Sequence, residues 1–219
     1  MSIPTDRDDT AFLRAHTILG RAPLVPEIAL YLASELTPLW QATEDWLAAQ
    51  NIDPPFWAFA WPGGQALARY ILDHRGEIAG RHVLDFAAGG GIAAIACMLA
   101  GAASVEAAEI DPLARAAIAL NAAAANGVSV VLPDSDIVGA DCRWDMILCG
   151  DVCYEAPMTR HILPWLRRMA LQAEVWVADP GRAYLPRDGL DAFATFLVPT
   201  TLELEDRTER LVTLYRLGG

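Results

Sequence analysis

The sequence predicts an α/β fold built on a doubly wound, mostly parallel sheet, and three observations support this. Short apolar runs alternate with helical stretches through the middle of the chain, a pattern typical of parallel strands buried between helices. The chain then closes with two apolar segments too near each other for a helix, which indicates an antiparallel hairpin. Its 219 residues suffice for one such domain and not for two. The five apolar runs and the two segments of the hairpin together predict seven strands.

The predicted elements follow from the hydrophobic pattern in chain order. A helix that begins near Gln65 carries its apolar residues on one face. Five strands are expected at His82–Phe86, Ser104–Glu109, Ser129–Leu132, Met146–Gly150 and Val175–Ala178. The helices between them are Gly91–Leu99, Pro112–Ala125 and Pro157–Met169, and the hairpin is Phe196–Leu204 with Leu211–Leu217. Pro164 is expected to kink the third helix.

The first sixty residues show a different pattern and predict an N-terminal helical extension, residues 1–60, that covers the ligand site of a main domain, residues 61–219. The elements expected in it are a helix from Asp8 or Asp9 that ends at Gly20, an extended stretch from Pro23 to Pro26 and a helix from Pro38 to Gln50.

Composition and charge exclude several classes of protein. Hydrophobic residues make up 54 % of the chain, which excludes a disordered protein, and no apolar run reaches the roughly 18 residues of a membrane span. The net charge of −12 without a Lys/Arg run argues against nucleic-acid binding. This charge favours a basic protein partner, or serves solubility alone. The N-terminus resembles neither a signal nor a transit peptide, so we expect a cytoplasmic protein, and a monomer.

The four cysteines do not predict a metal site. Cys142, Cys149 and Cys153 lie near one another and near His161 in the sequence, but they lack the usual spacing of zinc ligands. Reduced, partly buried thiols are the expected state in the cytosol.

A glycine-rich turn follows the first central strand and indicates a ligand-binding loop, although an ordinary βα turn has the same pattern. Gly89 and Gly91 permit positive φ and let a ligand approach the backbone, at the strand ends where open α/β sheets bind ligands. Asp85 precedes them. Its carboxylate disfavours a pyrophosphate and favours the ammonium group of S-adenosylmethionine. The spacing of Asp85, Ala87, Gly89 and Gly91 also departs from the dinucleotide fingerprint.

A second carboxylate, Glu109, ends the next predicted strand, where it can accept both hydroxyls of a ribose. Asp111 suits the N-cap of the following helix. After the third strand, Asp134, Ser135 and Asp136 are all candidates to accept from an adenine amino group. The sequence does not choose among them, and a solvated loop also fits.

Polar residues also follow the fourth and fifth central strands. Asp151 and Tyr154 come directly after the buried run that ends at Gly150, so we expect the chemistry at this edge of the sheet. A helix cap at Asp151 and simple packing of Tyr154 are the alternatives. After the fifth strand, Asp179 and Arg182 flank a turn in which they can form an ion pair.

Together these residues resemble the class I, seven-β-strand methyltransferases, which have a Rossmann-like fold. The resemblance rests on Asp85–Gly91, Glu109 and Asp151–Tyr154, and the Asp-x-x-Tyr pattern is similar to the lysine methyltransferase family 16 branch. Pro55–Leu67 and Asp179–Arg182 resemble the members of that branch that methylate the β subunit of electron transfer flavoprotein. The resemblance implies a protein-lysine N-methyltransferase that uses S-adenosyl-L-methionine and has that subunit as its partner.

The resemblance also implies roles for individual residues. Asp151 and Tyr154 are the catalytic pair: the carboxylate orients the lysine amine without serving as a strong base, and the tyrosine offers an oxygen and a ring face. The cofactor-binding residues are Trp61, Asp85, Ala87, Gly89, Gly91, Glu109, Asp136 and Gly150. The substrate-binding residues are Trp57, Asp179 and Arg182. Trp57 and Trp61 are suited to cover the cofactor, or else belong to the core.

Three other functions remain possible from the sequence. One is a methyltransferase for another protein or a small molecule. A nicotinamide-dependent oxidoreductase is disfavoured by Asp85 and by the missing dinucleotide fingerprint. A non-catalytic cofactor-binding protein is disfavoured by the presence of Asp151 and Tyr154.

Overall fold

The computed structural model describes residues 8–34, 37, 39, 47, 49, 53–134 and 136–219. Its strands are β1 (Ile18–Ala22), β2 (Val25–Leu32), β3 (His82–Phe86), β4 (Ser104–Ala108), β5 (Met146–Gly150), β6 (Glu174–Asp179), β7 (Leu190–Pro199) and β8 (Glu209–Leu217). Its α-helices are α1 (Asp9–His16), α2 (Pro62–Asp73), α3 (Ile92–Leu99), α4 (Pro112–Ala119), α5 (Ala156–Met169) and α6 (Leu202–Glu205).

The described strands form one six-stranded sheet in the order β4-β3-β5-β6-β8-β7, and a separate two-stranded hairpin of β1 and β2. Strands β3 to β6 are parallel, whereas β8 is antiparallel to both β6 and β7. The predicted doubly wound sheet with a closing hairpin is confirmed. Because β3 has β4 on one side and β5 on the other, the winding reverses there, and a crevice for a ligand is expected at the carboxyl ends of these strands.

The predicted strand Ser129–Leu132 is reduced to a single bridge beside β4, so the described sheet has six strands instead of seven. The Val131 N–H donates to the Val105 carbonyl at 2.9 Å, and the Ala107 N–H donates to the Val131 carbonyl at 2.8 Å. Val131 is 56 % exposed. A longer ladder here would bury little apolar surface, and Pro133 has no N–H with which to extend it.

The core lies on both faces of the sheet because alternate residues of each strand point to opposite sides. On one face, Met146 and Leu148 of β5 pack with residues of α2 and α3. On the other face, Ile147 and Cys149 pack with residues of α5. Helix α5 runs from Ala156 to Met169 with Pro164 inside it. Among the described residues, no helix is both long and apolar enough to cross a membrane.

The closing hairpin differs from the prediction in two respects. Strand β7 begins at Leu190, earlier than Phe196, and the one-turn helix α6 lies between β7 and β8, where no helix was expected. Asp206 adopts a left-handed conformation with a φ of 56° directly after α6, and this ends the turn. Four residues are enough for one helical turn, which the spacing argument overlooked.

The N-terminal extension is only partly helical, which corrects the prediction. The Asp8 carboxylate caps α1 as expected by accepting the Ala11 N–H at 3.1 Å. The helix ends at His16, and Gly20 lies inside β1, opposite Leu30 of β2. Because β-branched residues follow the helix directly, at Thr17 and Ile18, a strand is favoured over further helix. The helix predicted from 38 to 50 lies almost entirely outside the described residues.

A buried asparagine links this N-terminal hairpin to the loop that follows β3. A π-helical segment, Leu120–Ala125, continues α4, and such segments often occur at functional sites. Within it, the Asn121 carboxamide oxygen accepts the Tyr31 N–H of β2 at 2.8 Å. Its Nδ2 donates to the Gly90 carbonyl at 2.8 Å. The hairpin is therefore fixed to the glycine loop by one side chain.

We expect Asn121→Ala to lower the free energy of unfolding by about 1–3 kcal/mol, because it leaves the Tyr31 N–H and the Gly90 carbonyl without their partner. Urea denaturation measures the change. Gln172→Ala, which removes an exposed side-chain amide, is the matched control and should leave stability unaltered. Equal stability of both variants would contradict the structural role of Asn121.

Candidate active site

A cavity of about 880 Å³ opens where β3, β4 and β5 end, which is the edge of the sheet that the sequence predicts. The predicted site residues in its wall are Trp57, Trp61, Ala87, Gly89, Glu109, Asp136, Gly150, Asp151, Tyr154 and Arg182. Asp85 instead lines a smaller cavity of about 50 Å³, whose wall also includes Trp61 and Gly89. Gly91 and Asp179 line neither of these two cavities.

The loop after β3 is shaped by left-handed residues. Ala87, Gly89 and Gly91 have φ values of 53°, 54° and 81°. Glycine is the usual residue in this conformation, but Ala87 carries a Cβ, which costs roughly 1–2 kcal/mol. The Ala88 N–H donates to the Ala108 carbonyl at 3.1 Å, so the loop is tied to the end of β4. These turns bring the loop backbone into the cavity wall.

Asp85 is buried at the end of β3, with 3 % of its surface exposed. One carboxylate oxygen accepts the Ala94 N–H at 2.9 Å, in the first turn of α3. Burial raises the pKa of Asp85 to about 7; the Ala94 hydrogen bond opposes this rise and the charge of Glu109 adds to it. The sequence did not predict this helix-capping contact. A buried carboxylate with one hydrogen bond is a favourable neighbour for a cation.

Glu109 extends from the end of β4 into the cavity. One carboxylate oxygen accepts the Gly89 N–H at 3.1 Å, and the other accepts the Ile110 N–H at 2.7 Å. Burial raises its pKa, although these backbone hydrogen bonds act against the rise. Asp111 accepts the Leu113 N–H at 2.8 Å and caps α4, which confirms the prediction for Asp111.

The three candidates for an adenine contact are placed differently. Asp136 is in the cavity wall and accepts the Val138 N–H at 3.0 Å. The carboxylate of Asp134 is exposed and lies 4.0 Å from the guanidinium of Arg115, outside the wall. Ser135 lies outside the described residues. Ile137 and Val138 add an apolar surface to the wall that sequence reasoning missed, although they directly follow Asp136.

Asp151 is buried directly after β5 and has a left-handed φ of 56°. One carboxylate oxygen accepts the Gly63 N–H at the start of α2. The other accepts from two nitrogens of Arg182, at 2.8 and 3.1 Å. Burial raises the pKa of Asp151 to about 6, and Arg182 opposes the rise. Asp151 therefore takes part in a helix cap and an ion pair at once.

Asp179 does not bind the guanidinium of Arg182, so the ion pair considered from the sequence is not formed. Its carboxylate instead accepts the backbone N–H groups of Gly181 and Arg182, at 2.7 and 2.6 Å, and so shapes the turn after β6. The second oxygen of this carboxylate is buried without a hydrogen-bond partner. Asp179 supports the segment that presents Arg182 and does not reach the large cavity.

Aromatic side chains surround the cavity mouth. Phe56 and Tyr154 are about half exposed, and their ring centroids are 6.0 Å apart. The Trp61 ring is 5.9 Å from that of Phe56, and its indole N–H donates to the Phe56 carbonyl at 2.7 Å. Trp57, by contrast, is buried against α4. Sequence reasoning missed Phe56, since only the folded chain distinguishes the outward residue of this aromatic run from the inward one.

All four cysteines are free, and burial raises the pKa of the Cys153 thiol to about 12, so this thiol is unreactive at neutral pH. In the part of the chain that the structure describes, no group of three or more His, Cys, Asp or Glu side chains is arranged to hold a metal ion.

Comparison with characterised proteins decides the family. The PrmA family model, described as ribosomal protein L11 methyltransferase, matches residues 65–150. The chain is 37 % identical over 177 residues to the electron transfer flavoprotein beta subunit lysine methyltransferase of Xenopus laevis, over 79 % of this chain and 70 % of that protein. It is 34 % identical over 182 residues to the Homo sapiens protein of the same name, and the match covers 81 % of this chain and 68 % of that protein. The chain belongs to this lysine methyltransferase family.

Solved structures agree with a methyltransferase fold. Magnesium protoporphyrin IX methyltransferase of Synechocystis superposes with a TM-score of 0.52 at 17 % identity, over 70 % of this chain and 81 % of that one. The ribosomal protein L11 methylase of Lactobacillus delbrueckii superposes with a TM-score of 0.51 at 22 % identity, over 72 % of this chain and 79 % of that one. At these identities the likeness concerns the fold alone. The predicted class I methyltransferase architecture is confirmed.

Proposed function

We propose that this lysine methyltransferase acts on the β subunit of electron transfer flavoprotein. The observation that carries the proposal is the 34–37 % identity, over 79–81 % of this chain, to two relatives that are named for that substrate. The structure supports it with a cavity that combines a cofactor-sized volume with an aromatic mouth. The net charge of −12 suits a basic protein segment better than RNA.

The cofactor is S-adenosyl-L-methionine, and the residues present fit it. The buried carboxylate of Asp85, whose pKa is raised in the free protein, is stabilised by an ammonium group. Glu109 offers carboxylate oxygens for the ribose, and Asp136, in the wall of the same cavity, is the proposed contact for the adenine. The remaining proposed cofactor contacts are Trp61, Ala87, Gly89 and Gly150, whereas Gly91 shapes the loop through its left-handed conformation. When bound, the cofactor supplies an electrophilic methyl group.

The protein side chains must present a neutral lysine amine. An ordinary lysine has a pKa near 10.4, so losing the proton at pH 7 costs about 4–5 kcal/mol. The rings of Phe56, Trp61 and Tyr154 reduce this cost by displacing water from the amine. Asp151 orients the amine, and Arg182 offsets part of the carboxylate charge, which weakens the preference of Asp151 for a protonated amine. Positioning is then the main contribution to catalysis.

We expect Asp151→Asn to lower the kcat of methylation at least tenfold while the affinity for S-adenosylmethionine changes less than about threefold. The asparagine still accepts the Gly63 N–H but loses the charge that orients the amine. Steady-state kinetics and isothermal titration calorimetry measure the two quantities. Asp188→Asn, at an exposed carboxylate, is the control. Full turnover by Asp151→Asn would remove Asp151 from the mechanism.

The substrate is tested by incubating the enzyme and methyl-labelled cofactor with purified electron transfer flavoprotein and, separately, with a cell lysate, then mapping modified residues by mass spectrometry. The proposal predicts label on lysines of the β subunit. Label on other lysate proteins, or on small molecules alone, would contradict this substrate and support the corresponding alternative. No label on any acceptor would support a non-catalytic cofactor-binding protein.

We also propose that the enzyme is a cytoplasmic monomer and that residues 1–60 cover the cofactor site. Four free thiols and an acidic composition support the compartment. Phe56 and Trp57 support the role of the extension, because both line the large cavity. Size-exclusion chromatography coupled to light scattering tests the oligomeric state: a mass near 23.7 kDa is expected, and twice that mass contradicts a monomer.

A further inference from the structure

The guanidinium of Arg182 lies between two carboxylates that come from distant parts of the chain. One of its terminal nitrogens is 2.8 Å from the nearer oxygen of Asp151 and 2.5 Å from an oxygen of Glu205. The other terminal nitrogen is 3.1 Å from the second oxygen of Glu205. Arg182 therefore binds Glu205 in a two-point contact, a geometry that fixes the plane of a guanidinium.

Glu205 is itself held from the opposite side. Only 4 % of its surface is exposed. Arg210 donates from Nε to its carboxylate at 3.0 Å and from a terminal nitrogen to its backbone carbonyl at 2.8 Å. The same nitrogen of Arg210 lies 2.8 Å from the exposed Asp206 carboxylate. A buried carboxylate is tolerated only when it is paired, and here two arginines pair with it.

Helix α6 brings Glu205 to this position. Glu205 is the last residue of that single turn, which connects the closing hairpin strands and does not belong to the strand ends that line the cavity. Its carboxylate contacts Arg182, and Arg182 contacts Asp151 at the cavity wall. The ion pairs thus form a chain from the hairpin to the residue proposed to orient the amine.

We propose that Glu205 is a positioning residue for methyl transfer, which acts through Arg182 to hold the Asp151 carboxylate in place. The proposal rests on the proposed function, since it concerns the same reaction. Arg182 bound to Asp151 alone is free to turn about its side-chain bonds. With Glu205 on its other edge, the guanidinium has one orientation, and the Asp151 carboxylate is then held between this guanidinium and the Gly63 N–H.

The test is Glu205→Gln, measured with purified electron transfer flavoprotein. We expect kcat to fall about tenfold, with the KM for the protein substrate and the affinity for S-adenosylmethionine within about twofold of the original enzyme. The Nε–H resonance of Arg182 in NMR spectra should exchange faster with solvent than in the unmodified protein. Asp206→Asn removes the neighbouring carboxylate, which contacts Arg210 and has no ion pair with Arg182 among the described residues. This control should keep its kcat.

Arg210→Gln provides a second variant in case Glu205→Gln fails to fold. It leaves both contacts of Arg182 in place and removes the outer partner of Glu205, so a smaller fall in kcat is expected, of about threefold. Unaltered kcat in whichever of the two variants folds, or a change in KM alone, would overturn the positioning role. Absence of methylation by the unmodified enzyme would instead contradict the proposed function, and solvent exchange of the Arg182 Nε–H would then test only whether Glu205 fixes the Arg182 side chain.

Discussion

Asp85→Asn is expected to lower the affinity for S-adenosylmethionine by about a hundredfold, corresponding to the loss of one charge-assisted hydrogen bond of about 2–3 kcal/mol. The same change is expected to stabilise the free protein at neutral pH. Burial raises the pKa of Asp85 from 3.8 to about 7, so ionising this group in the folded state is unfavourable. Asparagine removes that ionisation and still accepts the Ala94 N–H at the start of α3.

The free energy of unfolding is expected to decrease as the pH rises. Because the folded protein binds the Asp85 proton more tightly than the unfolded chain, the resulting stability is fully present below the ordinary pKa and is lost as the pH rises through about 7. Asp151, with a pKa of about 6, contributes in the same direction. Thermal unfolding should therefore give a Tm that falls between about pH 4 and pH 7, the interval between the ordinary and the raised pKa values, and this fall should be smaller in Asp85→Asn.

Two outcomes would contradict the proposed role of Asp85. One is an affinity of Asp85→Asn for S-adenosylmethionine, measured by calorimetry, that equals that of the unmodified protein. The other is a dependence of Tm on pH equal to that of the unmodified protein. Asp188→Asn, which removes an exposed carboxylate, controls for the loss of one negative charge and should change neither quantity.

Gly63→Ala is expected to have the second large effect, on both stability and catalysis. A Cβ at Gly63 would lie 2.6 Å from a carboxylate oxygen of Asp151, 2.7 Å from the Ala178 carbonyl and 2.8 Å from the Asp151 backbone nitrogen. Two of these three atoms belong to the backbone and move only if the ends of β5 and β6 separate from α2. Overpacking of this kind costs about 1–3 kcal/mol, and displacement of Asp151 should lower kcat at least about tenfold.

The matched control for this substitution is Gly76→Ala. A Cβ at Gly76 would meet no atom within 4 Å, so kcat should stay within experimental error of the unmodified enzyme and the free energy of unfolding should be unaltered or higher by up to about 1 kcal/mol. Urea denaturation and steady-state kinetics apply to both variants. If Gly63→Ala behaved like Gly76→Ala, the close packing of α2 on Asp151 would be wrong.

The parts of the fold that the sequence predicts well are those decided by local burial. The bounds of β3 and β5 match the predicted strands, because apolar residues predominate in both and each leads into a loop that contains glycine or charged residues. Since β3, β4 and β5 are parallel, their carboxyl ends meet, and this brings Asp85, Glu109 and Asp151 to one edge of the sheet. Their common location follows from the alternation of strands and helices alone.

The features that the sequence did not predict depend on contacts between distant residues. The ion pair between Arg182 and Glu205 depends on where α6 places Glu205, 23 positions further along the chain. The N-terminal hairpin is supported by the bond between Tyr31 and Asn121, across 90 positions. The helix-capping contact of Asp85 depends on how α3 packs over β3. No periodic pattern within a short window encodes such contacts.

A crystal structure of the enzyme with S-adenosylhomocysteine tests the proposed cofactor site most directly. We expect the amino group of the ligand beside Asp85, the ribose hydroxyls on Glu109 and the sulfur facing Asp151 and Tyr154. A ligand bound outside the two cavities, or inverted so that its ribose lies beside Asp85, would contradict both the cofactor site and the reaction assigned to it.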